Sequence, residues 1–338
     1  MYIDIFCVFE YNNKKWYGGI TMATPVNKNL SKNAKALLDY LYEIKGKGII
    51  VGQHTQTLEQ KELWYQQDVT GKLPALCGFE LLAYSPNINY ETCDEAALKE
   101  INENKNTLTK AYEWAQKGGI LTFTWHWYSP IGGVDKSFYA RNTDFDANKV
   151  FVEGSDERKA FFSDMDAMAE LLEGFNKKDI PILWRPFHEA EGDWFWWGVK
   201  GMDTARKLYR LMFDYYVNVK HLDNLIWVWN NPIPEGYVGD EYCDIVTRDL
   251  YPPAHEHKSL KEKYTELERV TLNKPLAIGE IGTIPSIEAI CEEKVEWLWF
   301  MTWSFAFGAS EMFTTNEVFK TQFNHPYAIT LDKLPKLY

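Results

Sequence analysis

Ile180-Pro181-Ile182-Leu183-Trp184-Arg185-Pro186-Phe187-His188-Glu189 is a short apolar run that closes on a polar cluster. Upstream of it, Phe161, Met165, Met168, Leu172 and Phe175 recur at the spacing that lines one face of a helix. A helix leading into a short buried strand with a polar end is the repeating piece of a βα fold. Working outward, the same kind of run occurs at 48–53, 75–83, 119–127, 224–230, 243–251, 275–282 and 297–305, which with 180–188 predicts eight strands. Leu208, Leu211, Met212, Tyr215 and Val219 mark a second amphipathic helix between them. Eight parallel strands without a Gly-rich phosphate turn favour an α/β fold of the closed (β/α)8 TIM-barrel type over an open sheet, because closure removes both edges. No linker, repeat or shift of composition interrupts the pattern, so residues 1–338 are expected to form one domain. The fifth unit is the weakest, since Pro232, Pro234 and Gly236 leave little room for a helix before Cys243.

Composition narrows the partners. Lys+Arg 36 against Asp+Glu 48 leaves a net charge of −12, which disfavours nucleic acid and anionic membranes and suits a neutral or cationic ligand. The 14 Trp, 20 Tyr and 19 Phe make 16% of the chain aromatic, a surplus that fits either platforms for sugar C–H faces or a Trp-rich core. Cys7, Cys77, Cys93, Cys243 and Cys291 lack metal-ligand spacing and are expected to be buried free thiols. No apolar run reaches the about 18 residues of a membrane span. The run from Tyr2 to Phe9 has no basic residue before it and no small-residue cleavage site after it, so no signal peptide is visible.

In a barrel the chemistry is expected at the C-terminal strand ends. Those ends carry Gln53-His54, Trp125-His126-Trp127, Arg185 to Glu189, Arg248-Asp249-Leu250-Tyr251, Gly279-Glu280-Ile281-Gly282 and Trp303-Ser304. Glu189 and Glu280 project from strands four and seven toward one rim, as a proton donor and a nucleophile at an acetal carbon must. Glu189, with Trp194 to Trp197 following and Glu280 opposite, is placed to keep a proton near neutral pH. Glu280 needs donors and a cation to stay ionised, and Tyr251 and Arg185 are positioned to supply them. Gly279 and Gly282 are expected to let a sugar ring approach the backbone, and Glu191 to meet substrate hydroxyls from the rim. A metal site built from His54, His126, His188 and Glu189 stays open as an alternative, although no H-x-H or H-E-x-x-H spacing supports it.

These segments, above all Arg185-Pro186-Phe187-His188-Glu189 with Gly192-Asp193-Trp194-Phe195-Trp196-Trp197-Gly198, resemble glycoside hydrolase family 26, the β-mannanase family. Gly52-Gln53-His54, Trp125-His126-Trp127, Arg248 to Tyr251 and Gly279 to Gly282 agree in order. The resemblance implies a retaining hydrolase of β-1,4-mannosidic bonds that needs no cofactor and no metal. Its partner would be β-mannan or a manno-oligosaccharide, the chain acting as an exported monomer. Position by position it implies Glu189 as acid/base and Glu280 as nucleophile. His126, His188, Trp194, Asp249, Tyr251 and Trp303 would contact substrate, with Arg185, Gln53, His54 and Trp127 completing the binding set. Activity on β-1,4-xylan, β-1,3-xylan or mixed-linkage β-glucan, or a non-catalytic sugar-binding barrel, are the competing expectations.

Overall fold

All eight expected strands form, the first displaced by one residue and the others shortened: β1 (Ile49–His54), β2 (Leu76–Glu80), β3 (Ile120–Thr124), β4 (Ile182–Arg185), β5 (Leu225–Asn230), β6 (Ile245–Leu250), β7 (Leu276–Ile281) and β8 (Trp299–Thr302). Strand β4 stops where Pro186 brings no N–H to the ladder. The structure, a computed structural model, describes residues 15–17, 20–132 and 137–337; Cys7 lies outside them. Every strand pairs in parallel with the next, and β8 returns to β1 from Trp299 opposite Ile50 to Thr302 opposite Gln53, closing the barrel. A two-residue strand, Ala328–Ile329, adds to β1, and an antiparallel pair at Lys15–Tyr17 and Ile20–Met22 lies outside the barrel ladder.

Helix α1 (Lys32–Ile44) precedes the barrel. The crossovers carry α2 (Lys61–Thr70), α3 (Glu95–Glu103) with α4 (Thr107–Gln116), α5 (Asp156–Asn176), α6 (Met202–Asn218), α7 (Lys261–Glu268) and α8 (Ile287–Glu293), and α9 (Asn316–Asn324) follows β8. The fifth crossover holds only a 3-10 turn at Pro234–Gly236, as its prolines predict.

Strand alternation sorts the core into two layers. Ile50, Leu76, Ile120, Leu183, Ile226, Ile245, Ala277 and Met301 cluster with Leu37, Leu38 and Leu41 of α1, whereas Val51, Phe79, Phe123, Trp184, Trp227 and Phe300 pack beneath the crossover helices. The first set is therefore the barrel interior, and α1 plugs its N-terminal mouth. Ser31 N–H donates to Asp223 O at 2.7 Å and Val26 N–H to Asp244 at 2.9 Å, both just ahead of strand starts.

Two expectations change, and one alternative is decided. The buried face of α6 runs through Leu208, Tyr209, Met212, Phe213 and Tyr216, one step round from the expected stripe, and Val219 is exposed. Tyr209 packs edge-on against Trp227 and Trp229, so large rings on β5 decide which side of the helix is covered. Most tryptophans, among them Trp114, Trp125, Trp184, Trp196, Trp197 and Trp297, are core residues, which accounts for most of the aromatic surplus. Cys291 is exposed rather than buried, while Cys77 and Cys243 are buried.

Candidate active site

At the C-terminal mouth the strand ends deliver one connected cluster. Arg185, buried at the end of β4, donates to Asp249 (3.0 and 3.3 Å), to Thr124 (2.7 Å) and in a short ion pair to Glu280. Tyr251 O–H donates to the other Glu280 oxygen at 2.7 Å. Asn230, ending β5, donates to Asp249 at 2.7 Å, and its side-chain oxygen accepts from Glu189 N–H at 3.4 Å. One oxygen from each of Glu189, Asp249 and Glu280 lies within 4.8 Å of the others, a trio that by donor chemistry alone would suit a cation. The Arg185 guanidinium already supplies a cation to two of the three.

Strict alternation would send Glu280 outward with Ile278. A bulge prevents this: Arg248 and Asp249 pair with Ile278 and Glu280, and on the other side Phe300 and Thr302 pair with Ile278 and Ile281, so Gly279 is one residue too many for either neighbour. A Cβ at Gly279 would overlap Asn230 Nδ2 and stand 2.5 Å from Asp249. The room expected for a sugar at Gly279 is thus taken by this polar network, and the glycine serves the bulge. Glu189 sits past the end of β4 on a backbone with φ +52°, two residues after Phe187 at φ +53°. Left-handed backbone at two non-glycine residues is costly and is characteristic of functional turns.

The two carboxylates have opposite surroundings. Burial, then the charges of Glu280 and Glu191, push the Glu189 carboxyl up to about 7. Trp194 contributes a single N–H, donated to Glu189 at 3.0 Å; Trp196 and Trp197 turn inward instead, donating to Trp127 O and His188 O. Glu280, by contrast, receives a guanidinium and a phenol.

Beside them lies a histidine chain. Glu80, at the end of β2, accepts from Leu82 N–H, from His126 N–H and, at 2.6 Å, from His126 Nδ1. Burial by itself would lower His126, but the Glu80 carboxylate, assisted by Glu100 and Glu280, holds it up at about 9. Charged His126 then gives its second N–H to His188 Nε2 at 3.1 Å. Burial and the charges of His126 and Arg185 keep His188 well below the usual imidazole range, so its proton resides on Nδ1, which has no partner in the protein. His54 is likewise buried and held low by burial and Arg185, with both nitrogens unmet and its ring stacked at 3.9 Å on Trp303.

Two expected contacts are not in the cleft. Trp127 is a core residue, stacked on Trp125 and Phe161 with its N–H on Asp164 at 2.7 Å. Gln53 is fully buried and spends its amide on His54 O and Trp303 O, steadying the Trp303 backbone rather than facing a ligand. Glu191 is exposed at the rim and accepts from Asn231 at 2.8 Å. Glu80, Asn230 and Thr124 are not among the expected residues, although the strand-end rule also points to β2 and β5 and Thr124 immediately precedes the Trp125-His126-Trp127 end of β3.

A profile of the family described as "Glycosyl hydrolase family 26" matches residues 26–333. A "Mannan endo-1,4-beta-mannosidase" of Thermothelomyces thermophilus is 35% identical over 317 residues, covering 91% of this chain and 62% of that protein. The "Mannan endo-1,4-beta-mannosidase A" of Piromyces sp is 29% identical over 344 residues, 99% of this chain and 54% of the relative. This chain therefore spans little more than half the length of those relatives. Among solved structures, a Podospora anserina GH26-CBM35 beta-(1,4)-mannanase superposes with TM-score 0.84 at 31% identity, covering 93% of this chain and 69% of that one. A beta-mannanase from a symbiotic protist of the termite Reticulitermes speratus, complexed with gluco-manno-oligosaccharide, gives 0.82 at 30% identity, covering 93% and 98%.

Proposed function

This chain belongs to glycosyl hydrolase family 26, and on that premise we propose that it is an endo-acting β-1,4-mannanase working by double displacement with retention. The observation that carries the reading is the spacing of Glu189 and Glu280, whose nearest oxygens lie within 4.8 Å. That falls with the about 5–5.5 Å of retaining enzymes and short of the about 6.5–9.5 Å that leaves room for a water.

In the proposed mechanism Glu280, oriented by Arg185 and Tyr251, attacks the anomeric carbon while Glu189 protonates the departing oxygen. Glu189, now ionised, takes a proton from water, which attacks the anomeric carbon and releases Glu280. Trp303, backed by His54, is the platform of the sugar ring at the reacting position, and Trp194, 43% exposed and bonded to Glu189, is that of the leaving side. Tyr251, half-exposed, stands at the same mouth, and the Asp249 side chain is buried behind it against Arg185 and Asn230. A polymeric substrate places the enzyme outside the cell; no helix among the described residues is long and apolar enough to cross a membrane.

NMR of the first sugar released from a manno-oligosaccharide tests the reading: the β-anomer is expected to form first, and initial release of the α-anomer would overturn it. With Glu189→Ala, added azide is expected to trap the glycosyl-enzyme as a β-mannosyl azide.

A further inference from the structure

Trp64 is a large aromatic side chain that neither the barrel nor the cleft explains. At 61% exposure it is more open to solvent than Trp194. Among the described residues its ring has no aromatic neighbour and its indole N–H no hydrogen-bond partner. Leaving so large an apolar face in water is costly.

Its surroundings are specific. Gln67 lies three residues after Trp64 on α2, Gln60 stands at the N-cap of that helix, and all three line one groove. Across from them α4 presents Lys110 and Glu113, and between the two helices is a cavity of about 220 Å³ floored by Trp114. The amides of Gln60 and Gln67 make no side-chain hydrogen bond within the protein, so each offers a free donor and acceptor. Lys110 is paired with Glu113 at 2.9 Å, and Lys117 lies over the Trp114 ring. A flat aromatic face for C–H groups, flanked by unspent amides for hydroxyls, is the recognition chemistry of a neutral sugar. Gln60 follows β1, so the groove starts at the level of the catalytic mouth and runs down the outer wall.

We propose that the groove between α2 and α4 is a second carbohydrate site, which holds one segment of a β-linked polysaccharide while the cleft acts on another. That the polysaccharide is mannan rests on the proposed function; that the ligand is a neutral sugar does not. A tether of this kind raises the local concentration of insoluble substrate without touching the chemical step.

The test compares wild type with Trp64→Ala and Gln67→Ala, each checked for unchanged thermal unfolding. It measures retention on insoluble linear β-1,4-mannan, on insoluble xylan and on cellulose, together with hydrolysis of a soluble manno-oligosaccharide too short to reach both sites. Trp64→Ala is expected to lower retention on mannan and hydrolysis of the insoluble polymer at least about threefold, Gln67→Ala less, with kcat/KM on the short substrate unchanged. Retention equal to wild type on all three polymers, with mannan still hydrolysed, overturns this inference and leaves the proposed function standing. Trp64-dependent retention by a chain that hydrolyses no mannan substrate supports the groove and overturns the function.

Discussion

Glu189 concentrates the argument at the scale of the residue. Its carboxyl is pushed up to about 7 from an ordinary 4.5, so the proposed general acid is protonated below that pH and lost above it. The rate on mannan is expected to fall as pH rises through about 7. Glu189→Gln is expected to remove that limb and lower kcat by about 10²–10⁴, read from a pH–rate profile. Stability moves with the same sign. A raised carboxyl contributes stability fully present below pH 4.5 and lost as pH climbs through about 7. Glu189→Gln is therefore expected to raise Tm relative to wild type at pH 8 and to show no such gain at pH 4. On the partner carboxylate, Tyr251→Phe deletes the hydrogen bond to Glu280. It is expected to lower kcat by about ten- to a hundredfold, with little change in KM.

At the scale of the element, the ends of β2 and β3 are locked together by Glu80, which bonds three N–H groups including the ring of His126. His126 at about 9 means that this pair stabilises fully below pH 6.5 and progressively less as pH rises to about 9. Glu80→Gln is expected to lower Tm more at pH 6 than at pH 9.5, measured by thermal unfolding in matched buffers. The bulge in β7 makes a second prediction, because Gly279→Ala places a methyl against Asn230 and Asp249. The shift this forces on Glu280 is expected to reduce kcat/KM by about a hundredfold.

Across the whole molecule the two ends of the barrel separate stability from chemistry. Leu38, buried under the N-terminal mouth, has no connection to the cleft. Leu38→Ala is expected to cost about 2–5 kcal/mol of stability and to leave kcat/KM unchanged at temperatures where the chain is folded, as denaturant unfolding and initial rates would show.

Strand number, the missing fifth helix and the polar strand ends were legible in the chain because they depend on local period, proline and glycine. Arg185 and Tyr251 as partners of Glu280 were legible too, since they stand at ends that barrel closure brings together. Trp127 was not, because the chain turns after β3 and aims that ring at α5, whose Phe161 and Asp164 receive it. Nor was the face that α6 buries, which the Trp227 and Trp229 rings on β5 decide.

By itself, then, the sequence determined a closed (β/α)8 barrel with Glu189 and Glu280 at its mouth, because short-range periodicity and strand ends suffice for both. Only the tertiary structure decided that Glu280 faces inward, that Glu80 charges His126, that Asn230 joins Asp249 to Glu189, and which tryptophans meet water. Each of those depends on register and contact between segments far apart in the chain, where a one-residue bulge changes the face a side chain takes.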